Sequence, residues 1–235
     1  MRHVVVLAPM PLEMDAITTA FGLSPTSDAP GAPWRGRVGD SEVTAVHIGM
    51  GPPLTRAAVN RVIDAGGVDH IMNAGICGGL DPDLPVGTLI NPETLIMQST
   101  GARYRHNPPG DAPLAGCLST AEEVTFDIEL SKRLFREGCI AVDMESAAVA
   151  EVCEARGVPW SVYRCIGDRY FDGLLDPRLV AMTNMDGSGN RAEIERLLAA
   201  EPDLIPKLEQ LSKDTFNAAR LAAEAAVRGC LALDG

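Results

Sequence analysis

Acidic residues follow short apolar segments at two points in the middle of the chain. The first segment, Cys139–Val142, is followed by Asp143 and Glu145. The second, Trp160–Ile166, is followed within two residues by Asp168. Carboxyl groups can serve as general acid and general base, and their oxygens can accept hydrogen bonds from the hydroxyl groups of a ligand. Each acid taken alone is also compatible with a helix cap or a surface charge.

The residues between the two apolar segments predict a helix that begins near Ser146. Small and apolar side chains recur there at helical spacing, at Ala147, Ala148, Val149, Val152 and Cys153. Asp143 lies three residues before Ser146 and can cap the helix, and Gly157 followed by Pro159 ends it. The pattern predicts a strand–helix–strand unit with a carboxylate at the carboxyl end of each strand. Ligands of open parallel sheets bind at that edge.

The stretch from Gly138 to Asp168 resembles the purine nucleoside phosphorylase and nucleosidase superfamily, and in particular the methylthioadenosine/S-adenosylhomocysteine nucleosidases. The signature of these enzymes is a Met-Glu pair that opens a helix, followed by a strand that ends in Arg-x-Ile-Ser-Asp. Here these positions are Met144-Glu145 and Arg164-Cys165-Ile166-Gly167-Asp168, with Gly167 in place of the usual serine. The resemblance implies an α/β fold with three α/β/α layers around a central mixed, mostly parallel sheet.

The resemblance returns near the start of the chain. His3–Ala8 predicts a buried strand, and Pro11 opens a helix that is expected to extend to about Phe21. The nucleosidases carry Ala-Met-Glu-Glu-Glu at this turn, where the chain has Ala-Pro-Met-Pro-Leu-Glu over residues 8–13. Glu13 therefore takes the place of the family's third glutamate, which activates water. The other interpretation is that Glu13 only complements the helix dipole.

Two glycine-containing turns also match the family. Gly49-Met50-Gly51 stands where the family has Gly-Ile-Gly, and it fails as a dinucleotide fingerprint because the third glycine of GxGxxG is missing. Gly75–Leu80 stands where the family has Gly-Ser-Ala-Gly-Gly-Leu, which forms the floor of the base and ribose site. The resemblance thus places four residues of these turns in the substrate site, namely Met50, Ile76, Cys77 and Gly78.

The second turn also bears on whether water or phosphate attacks the substrate. In the phosphorylases, an arginine two residues before the first glycine and a serine just after it hold phosphate. Here these positions are Asn73 and Ile76, and an amide and an alkyl chain cannot neutralise a dianion. The nucleosidases also carry asparagine at the first position, which favours hydrolysis. Ile76 departs from both groups of enzymes and leaves open how the water is positioned.

The segment that holds the purine base in the family is altered as well. The nucleosidases place a stacking aromatic followed by isoleucine there, whereas this chain has Glu123 and Val124, with Phe126 in a different register. Val124 is the substrate-site residue that the resemblance gives here. The identity of the base is therefore less constrained than the glycosidic chemistry.

The resemblance implies cleavage of the bond between a purine and ribose, through an oxocarbenium-like sugar. Asp168 would protonate N7 of the leaving base, and Glu13 would orient and deprotonate a water on the opposite face of the sugar. Glu145 would accept hydrogen bonds from both ribose hydroxyls, Met144 would pack against the sugar, and Asp143 would support the ribose end or cap the helix. No cofactor and no metal ion is expected.

Three functions are compatible with these residues. The leading hypothesis is a purine nucleosidase that acts on an adenosine-like nucleoside with a variable 5′ group. The second is a phosphorylase with an unusual anion site. The third is a catalytically silent nucleoside-binding protein, which Gly167, Ile76 and the missing aromatic would favour. Release of free base without phosphate separates the three.

Composition and charge narrow the partners of the chain. Its 235 residues carry a formal net charge of -12, which argues against nucleic acid and anionic membrane surfaces as partners. The six cysteines form no CxxC motif and no metal-ligand spacing, so we expect buried free thiols and a cytoplasmic protein. No segment has the roughly 20 consecutive apolar residues of a membrane span. The apolar stretch Val4–Leu7 is too short for a signal peptide.

The length favours one large domain over residues 1–235, with residues 191–235 as a C-terminal helical extension. Helices are predicted at about Arg191–Ala200 and Asp203–Leu233. The apolar face of the second is predicted to consist of Leu204, Leu208, Leu211, Phe216, Leu221 and Val227. The layout of this extension is similar to the hopanoid-associated branch of the superfamily. The family's habit of pairing subunits near the active site implies a homodimer.

Overall fold

The structure is a computed structural model that describes residues 1–124, 126–172 and 177–234. In this part of the chain eleven strands form one sheet. The strands are β1 (Arg2–Ala8), β2 (Ser24–Pro25), β3 (Trp34–Val38), β4 (Ser41–His47), β5 (His70–Gly79), β6 (Leu89–Ile90), β7 (Thr94–Met97), β8 (Arg103–Arg105), β9 (Cys117–Thr120), β10 (Cys139–Asp143) and β11 (Trp160–Arg169). The helices are α1 (Pro11–Phe21), α2 (Pro52–Asp64), α3 (Ile128–Arg136), α4 (Ser146–Arg156), α5 (Pro177–Ala181), α6 (Arg191–Ala200) and α7 (Ile205–Ala232), with a 3-10 turn at Pro202–Leu204 before α7.

Strand β5 lies at the centre of the sheet. It pairs in parallel with β1 on one side and with β11 on the other, and its end at Gly78 and Gly79 also pairs antiparallel with β10. The sheet continues from β1 through β4, β3 and β2, and from β10 through β9, β7 and β8. Because β4, β1, β5 and β11 are all parallel, their carboxyl ends lie at one edge of the sheet.

Helices cover both faces of the sheet. Val4 and Val6 of β1 point to the face on which α1 and α7 pack, and Val5 and Leu7 point to the face covered by α2 and α4. Alternate residues of a strand face opposite sides, so a strand buried on both faces is apolar at every position. The three-layer α/β/α fold with a mixed sheet, as predicted from the sequence, is therefore confirmed.

The ends of α1 and α4 follow the predicted signals. At the start of α1, the side chain of Glu13 accepts a hydrogen bond from the backbone N–H of Met10 at 2.9 Å. Helix α4 ends at Gly157, which adopts the left-handed conformation with φ of +68°. These ends fix the position of Glu13 in the first turn of α1 and the point at which the chain enters β11, which carries Asp168.

The glycine-rich segment Gly75–Leu80 is not the turn that the sequence predicts. Residues 75–79 form the second half of β5, where they pair with β11 along its length. Glycine is unfavourable in an isolated strand, but here two neighbouring strands supply hydrogen-bond partners and the crowded surroundings exclude side chains. A Cβ at Gly79, for example, would lie 3.0 Å from Cγ2 of Ile166.

Helix α7 buries small side chains rather than the large ones that the sequence pattern predicts. Its buried residues are Ala218, Ala219, Ala222, Ala223, Ala226, Gly229 and Cys230. The predicted face is wrong at Phe216, which is 56% exposed, whereas Leu221 and Val227 pack at the margin of the buried stripe. Small residues let the helix backbone approach the sheet closely, because a Cβ at Gly229 would overlap the hydroxyl group of Tyr163.

All six cysteines are buried and free, as predicted. In the described part of the chain, no helix combines the length and the apolar character that a membrane crossing requires.

Candidate active site

A cavity of about 200 Å³ lies where β1, β5, β10 and β11 end. Its lining includes each residue that the sequence assigned to the site: Glu13, Met50, Ile76, Cys77, Gly78, Val124, Asp143, Met144, Glu145 and Asp168. Five further residues complete the lining, Pro9, Met10, Ala121, Glu123 and Val142. The structure thus brings carboxyl groups from three separate parts of the sequence into one cavity.

One buried arginine contacts three of these carboxyl groups. Arg164 lies in β11, and its side chain is fully buried. Its Nη2 is 2.8 Å from Oδ2 of Asp143 and 2.9 Å from Oε2 of Glu145, and its Nη1 is 3.5 Å from Oε1 of Glu13. We refer to these four residues as the Arg164 cluster. Because one cation faces three acids, the cluster is negatively charged whenever more than one acid is ionised.

Asp143 accepts hydrogen bonds from three side chains and one backbone group. Its Oδ1 accepts from the hydroxyl of Thr120 at 2.7 Å, and its Oδ2 accepts from the hydroxyl of Ser146 at 2.5 Å and from Arg164. The backbone N–H of Ser146 also donates to Oδ2, at 3.1 Å. Since Ser146 is the first residue of α4, this contact is the predicted helix cap. Asp143 therefore ties the end of β10 to the helix and to the arginine.

Glu145 connects the Arg164 cluster to the turn before α2. Its Oε1 accepts a hydrogen bond from the backbone N–H of Gly51 at 3.0 Å, while its Oε2 pairs with Arg164. Gly51 has φ of +90°, a backbone conformation that residues other than glycine rarely adopt. The Gly-Met-Gly turn thus presents a backbone donor to Glu145. Each carboxylate oxygen retains a lone pair for the hydroxyl group of a ligand.

Both oxygens of Glu13 accept backbone hydrogen bonds. Oε2 accepts from Met10 at 2.9 Å, which is a helix-cap contact, and Oε1 accepts from Ile76 of β5 at 2.8 Å. A side chain at Gly75 would overlap Oε1 of Glu13 and Nη1 of Arg164, so a glycine is required there. Glu13 therefore interacts with the start of α1, as the helix-dipole interpretation requires, and the same carboxyl group also lines the cavity.

Asp168 lies at a β-bulge and has a different environment. Strand β11 follows β5 residue by residue until Ile166 opposite Cys77, and then Asp168 pairs with Gly78, so that Gly167 is the extra residue. Among the described residues, Oδ1 of Asp168 is buried without a hydrogen-bond partner. A buried carboxyl oxygen without a partner favours the protonated form of the acid.

Burial raises the pKa of three carboxyl groups of the cavity to about 7. For Glu13 and Glu145, burial outweighs the charge of Arg164, which acts to lower the pKa. For Asp168, burial is the main cause and the negative charge of Asp172 raises the pKa further. Groups with a pKa near 7 can gain or lose a proton at neutral pH, as general acids and bases must.

The two departures from the family signature, Ile76 and Gly167, are neighbours in space. A Cβ at Gly167 would lie 3.3 Å from Cβ of Ile76 and 3.4 Å from Cγ2 of Thr215 in α7. The side chain of Ile76 packs against the buried cluster of Cys165, Ala218 and Ala222, whereas its backbone N–H donates to Glu13. Position 76 therefore supports the site through its main chain, and its larger side chain sits beside the smaller residue at position 167.

The part of the lining that the sequence assigned to the base is aliphatic rather than aromatic. The cavity is lined here by Ala121, Glu123 and Val124, whereas Phe126 is not part of the lining. Over residues 1–124, 126–172 and 177–234, no phenylalanine, tyrosine or tryptophan belongs to the lining. A base in this position would therefore rest on aliphatic side chains.

The described residues offer no cationic site for phosphate in the cavity. No lysine, arginine or histidine in these ranges belongs to the lining. Asn73 is outside the lining, and its side-chain N–H donates to Ser146 at 3.0 Å. Within the same ranges, no group of three or more histidine, cysteine, aspartate or glutamate residues is arranged to hold a metal ion.

Arg164 was not among the predicted site residues, although it is part of the Arg-x-Ile-Ser-Asp signature. An arginine within the buried strand β11 is the signal for its role, because arginine is rarely fully buried unless it is paired. Met10 as a lining residue and the contact between Met50 and the backbone of Met185 were not predicted either. The contact has no local sequence signal, since the two segments are far apart in the chain.

Comparison with known proteins assigns the family. The sequence model of the Phosphorylase superfamily matches residues 3–134 and 114–200. The chain belongs to this superfamily. It is 26% identical over 165 residues to the 5′-methylthioadenosine/S-adenosylhomocysteine nucleosidase of Geobacillus kaustophilus, a match that covers 57% of this chain and 70% of that protein. The corresponding enzyme of Tolumonas auensis is 25% identical over 166 residues, with coverage of 57% and 72%.

Solved structures with the same fold match the chain over nearly its whole length. The 5′-methylthioadenosine/S-adenosylhomocysteine nucleosidase of Neisseria meningitidis superposes with a TM-score of 0.72 at 15% identity, covering 98% of this chain and 99% of that one. The futalosine hydrolase of Helicobacter pylori has a TM-score of 0.70 at 18% identity, with coverage of 99% and 97%. The resemblance that the sequence motifs indicated is confirmed at the level of the superfamily.

Proposed function

We propose that this phosphorylase-superfamily protein is a purine nucleosidase, which hydrolyses the N-glycosidic bond of an adenosine-like nucleoside with a variable 5′ group. The observation that carries the proposal is the composition of the cavity. Asp168 lines the same cavity as three acids that contact Arg164, and its Oδ1 has no hydrogen-bond partner among the described residues. The relatives named as nucleosidases and the futalosine hydrolase with the same fold support this reaction class.

Asp168 is the general acid in this proposal. Its pKa of about 7 means that the group is often protonated at neutral pH, and its buried Oδ1 has no other hydrogen bond to satisfy among the described residues. The acid can therefore give its proton to N7 of the purine as the glycosidic bond breaks. Protonation makes the base a better leaving group, because the electron pair of the bond then ends on a neutral base.

The Arg164 cluster holds the sugar. Glu145 has a free lone pair on each oxygen with which to accept hydrogen bonds from the two ribose hydroxyls, and Met144 supplies an apolar surface beside it. The sugar becomes positively charged as the base leaves. Three acids with one guanidinium present excess negative charge, which stabilises that sugar more than the neutral substrate. Asp143 contributes indirectly in this proposal, because its hydrogen bonds fix the position of Arg164 and of the start of α4.

Glu13 is the general base. Its carboxyl group is fixed by backbone donors on two elements, and its pKa of about 7 leaves an appreciable ionised fraction at neutral pH. It can orient a water and accept its proton as the water attacks the anomeric carbon. Water rather than phosphate is the nucleophile here, because the positions corresponding to the phosphate site are Asn73 and Ile76 and the described lining has no cation.

The experiment that tests the proposal measures free adenine from 5′-methylthioadenosine in phosphate-free buffer. We expect adenine and the free sugar, and a rate that does not change when phosphate is added. Ribose 1-phosphate derivatives and a rate that rises with phosphate would make the protein a phosphorylase. Binding without any release of base would instead make it a silent nucleoside-binding protein.

We also propose that the protein acts in the cytoplasm as a homodimer. Six free buried cysteines support a reducing compartment. Exposed apolar side chains in the segments that line the cavity, among them Leu54 and Val124, support a partner subunit at that side. Sedimentation at micromolar concentration tests the second part, because a single monomeric species would contradict it.

A further inference from the structure

Two cysteines lie side by side on neighbouring strands, outside the lining of the cavity. Cys117 is the first residue of β9, and Cys139 is the first residue of β10. The two strands are parallel, and the two cysteines are direct partners in their register. Their sulfur atoms are 2.8 Å apart and are joined by a hydrogen bond. The fold therefore holds two thiols in contact that are 22 positions apart in the sequence.

The backbone at this pair has the spacing that a disulfide needs. Neighbouring strands lie about 4.7–4.9 Å apart, and the Cα atoms of disulfide-bonded cysteines are usually about 4.4–6.8 Å apart. An S–S bond measures about 2.05 Å, so from the observed separation of 2.8 Å each sulfur has to move by less than about 0.5 Å. Small rotations of the two side chains can therefore form the bond while both strands stay in place.

Cys117 is the more reactive thiol of the pair. Its pKa is lowered, mainly by its hydrogen bond with Cys139 and also by the charge of Arg103, while burial acts in the opposite direction. The same hydrogen bond raises the pKa of Cys139. The other four cysteines also lie in the described ranges, and burial raises the pKa of each of them. Because the thiolate is the nucleophilic form of cysteine, Cys117 is expected to react first.

The pair lies close to the surface but in apolar surroundings. Cys117 is 6% exposed and Cys139 is 1% exposed, and the residue before Cys139 in the chain, Gly138, is exposed. Such limited access admits a small oxidant such as hydrogen peroxide. The two cysteines form one apolar cluster with Leu80 and Leu134. A disulfide suits this cluster as well as two thiols do, because neither form carries a charge.

The two strands lead from the cysteine pair toward the cavity. Strand β9 ends at Thr120, whose hydroxyl donates to Asp143 at the end of β10 at 2.7 Å. Ala121 and Val124, which follow β9, line the cavity. A bond between the two cysteines would close the chain from 117 to 139 into a loop that includes these lining residues. It would thus limit the freedom of this loop in the unfolded chain and join the strands that support the cavity.

We propose that Cys117 and Cys139 form a reversible redox site, at which hydrogen peroxide converts the two thiols into a disulfide that joins β9 to β10 and stabilises the fold. The free thiols of this structure are the reduced form of the site. Disulfides of reducing compartments are usually transient and serve redox sensing or catalysis, which agrees with a pair that stays reduced until an oxidant arrives. The inference is independent of the proposed nucleosidase function.

The reaction has two steps. First, the Cys117 thiolate attacks one oxygen of hydrogen peroxide, the O–O bond breaks, and the products are a sulfenic acid on Cys117 and one water molecule. Second, the sulfur of Cys139 attacks the sulfur of Cys117, the S–O bond breaks, and a second water molecule leaves. The two sulfurs together lose two electrons, which the peroxide gains, and the two thiol protons end in the water molecules. A dithiol reverses the reaction by thiol–disulfide exchange.

The test treats the full wild-type chain with hydrogen peroxide, blocks the remaining thiols with N-ethylmaleimide and measures the products by mass spectrometry. Before blocking, the intact mass should fall by about 2 Da, because two hydrogen atoms are lost, and dithiothreitol should restore it. Digestion with trypsin and a glutamate-specific protease should give a cross-link between a peptide from residues 106–132 and the peptide 138–145. Cleavage after Glu145 separates Cys139 from Cys153, so the pairing is assigned without ambiguity.

Three variants assign the roles of the two sulfurs. Cys117→Ala and Cys139→Ala should each abolish the cross-link. In Cys139→Ala, Cys117 should instead be labelled by dimedone, because no second thiol is present to consume the sulfenic acid. Cys153→Ala is the matched control, since Cys153 is also buried and free but burial raises its pKa to about 12. This variant should form the same cross-link as the wild-type protein.

Thermal unfolding of the reduced and oxidised wild-type protein measures the consequence. The oxidised form should have a Tm higher by about 5–10 °C, because the bond closes a loop of 22 positions in the unfolded chain. A cross-link without a rise in Tm would contradict the stabilising role. A disulfide between any other cysteines, sulfinic acid on Cys117 without a cross-link, or an unchanged mass after peroxide would overturn the proposal. Each of these results is obtained on the wild-type protein, so none depends on the folding of a variant.

Discussion

The three acids of the Arg164 cluster and Asp168 line the same cavity but differ in how their charges are satisfied. Glu13, Asp143 and Glu145 share a buried guanidinium and accept defined hydrogen bonds. Asp168 has a buried Oδ1 for which the described residues provide no partner, and its neighbour Asp172 is also acidic. The first arrangement fixes the position of its acids, and the second leaves one acid ready to transfer a proton.

The two arrangements suit two different functions within one site, substrate binding and proton donation. A carboxylate paired with arginine and backbone N–H groups keeps its geometry, so it can hold a substrate. A buried carboxyl group without hydrogen-bond partners is more stable in its protonated form than in its ionised form. It also has no existing hydrogen bond to break when a substrate atom becomes its partner. We therefore propose that the Arg164 cluster mainly binds the substrate and that Asp168 donates the proton, and four predictions on three substitutions test this division.

Asp168→Asn should have the largest effect on the reaction. Asparagine keeps the shape of the side chain but has no proton to give at neutral pH. General acid catalysis is worth about 10²–10⁴-fold, so kcat should fall by that factor, which equals roughly 3–5 kcal/mol in the barrier. Adenine release measures kcat, and calorimetric titration with nucleoside should show nearly unchanged affinity. Retention of more than about a tenth of the wild-type rate would exclude Asp168 as the acid.

Arg164→Met should mainly destabilise the fold. Removing the cation leaves its acids buried without compensation, which typically costs about 3–5 kcal/mol. The loss should be fullest at pH 8 and smaller at pH 6, because Glu13 and Glu145, with pKa values of about 7, are largely protonated there and no longer need the cation. Urea unfolding at the two pH values measures the difference.

The control for this substitution is Arg156→Met, which removes a surface pair with Asp64. An exposed pair contributes about 0–1 kcal/mol, so this variant should stay close to the wild-type protein at both pH values. Equal losses in the two arginine variants would mean that the cluster carries no special electrostatic role.

Glu145→Gln should weaken binding and turnover together. Its amide N–H₂ must face either the N–H of Gly51 or the guanidinium of Arg164, so one donor of the site loses its acceptor. An unsatisfied buried donor costs about 1–3 kcal/mol, so kcat/KM should fall roughly 5–150-fold, with KM raised and kcat lowered. Glu151→Gln in α4, where the partner is Arg56, should leave both constants near wild type. A fall in kcat without a change in KM would instead indicate that Glu145, like Asp168, acts in the chemical step.

Asp168→Asn should also make the protein more stable at alkaline pH, by up to about 4 kcal/mol, because burial raises the pKa of this carboxyl group from its usual 3.8 to about 7. The folded pKa of about 7 lies above the unfolded value, so only the folded state retains this proton between about pH 4 and 7. Above pH 7 the folded protein bears the cost of a buried carboxylate, which asparagine never incurs. The gain should shrink as the pH falls toward 4.

Thermal unfolding across this pH range measures the effect, with Asp28→Asn on the surface as the control. A stability gain that persisted unchanged at pH 4 would show that ionisation of Asp168 is not its cause. The combination of lower activity and higher stability is expected for an acid whose Oδ1 has no hydrogen-bond partner among the described residues.

The sequence was most informative where a local signal coincides with a tertiary position. Pro11 marks the start of α1 and Gly157 marks the end of α4 by their backbone preferences, so the helix that carries Glu13 and the helix that follows Asp143 were predictable. The separation of the Arg164 cluster from Asp168 was not. It depends on which strand β11 pairs with, and on the bulge at Gly167, neither of which has a local signal.

Helix α7 and the second half of β5 show the same limit in the fold. Large apolar residues such as Phe216 dominate a periodicity argument, yet close packing on the sheet selects alanine and glycine for the buried stripe. In β5, glycines that favour a turn locally remain extended because β11 pairs with them and because Glu13 occupies the space of a side chain at Gly75. In both cases a neighbouring element overrides the local preference.

Three acids with pKa values of about 7 in one cavity also affect the heat of ligand binding. The formal charge of -12 counts each of them as ionised, so at pH 7 the molecule is less negative by about one to two charges. A nucleoside that fills the cavity changes their proton occupancy, and the buffer must supply or absorb the difference. The observed binding enthalpy at pH 7 should therefore vary linearly with the ionisation enthalpy of the buffer, and the slope counts the protons exchanged.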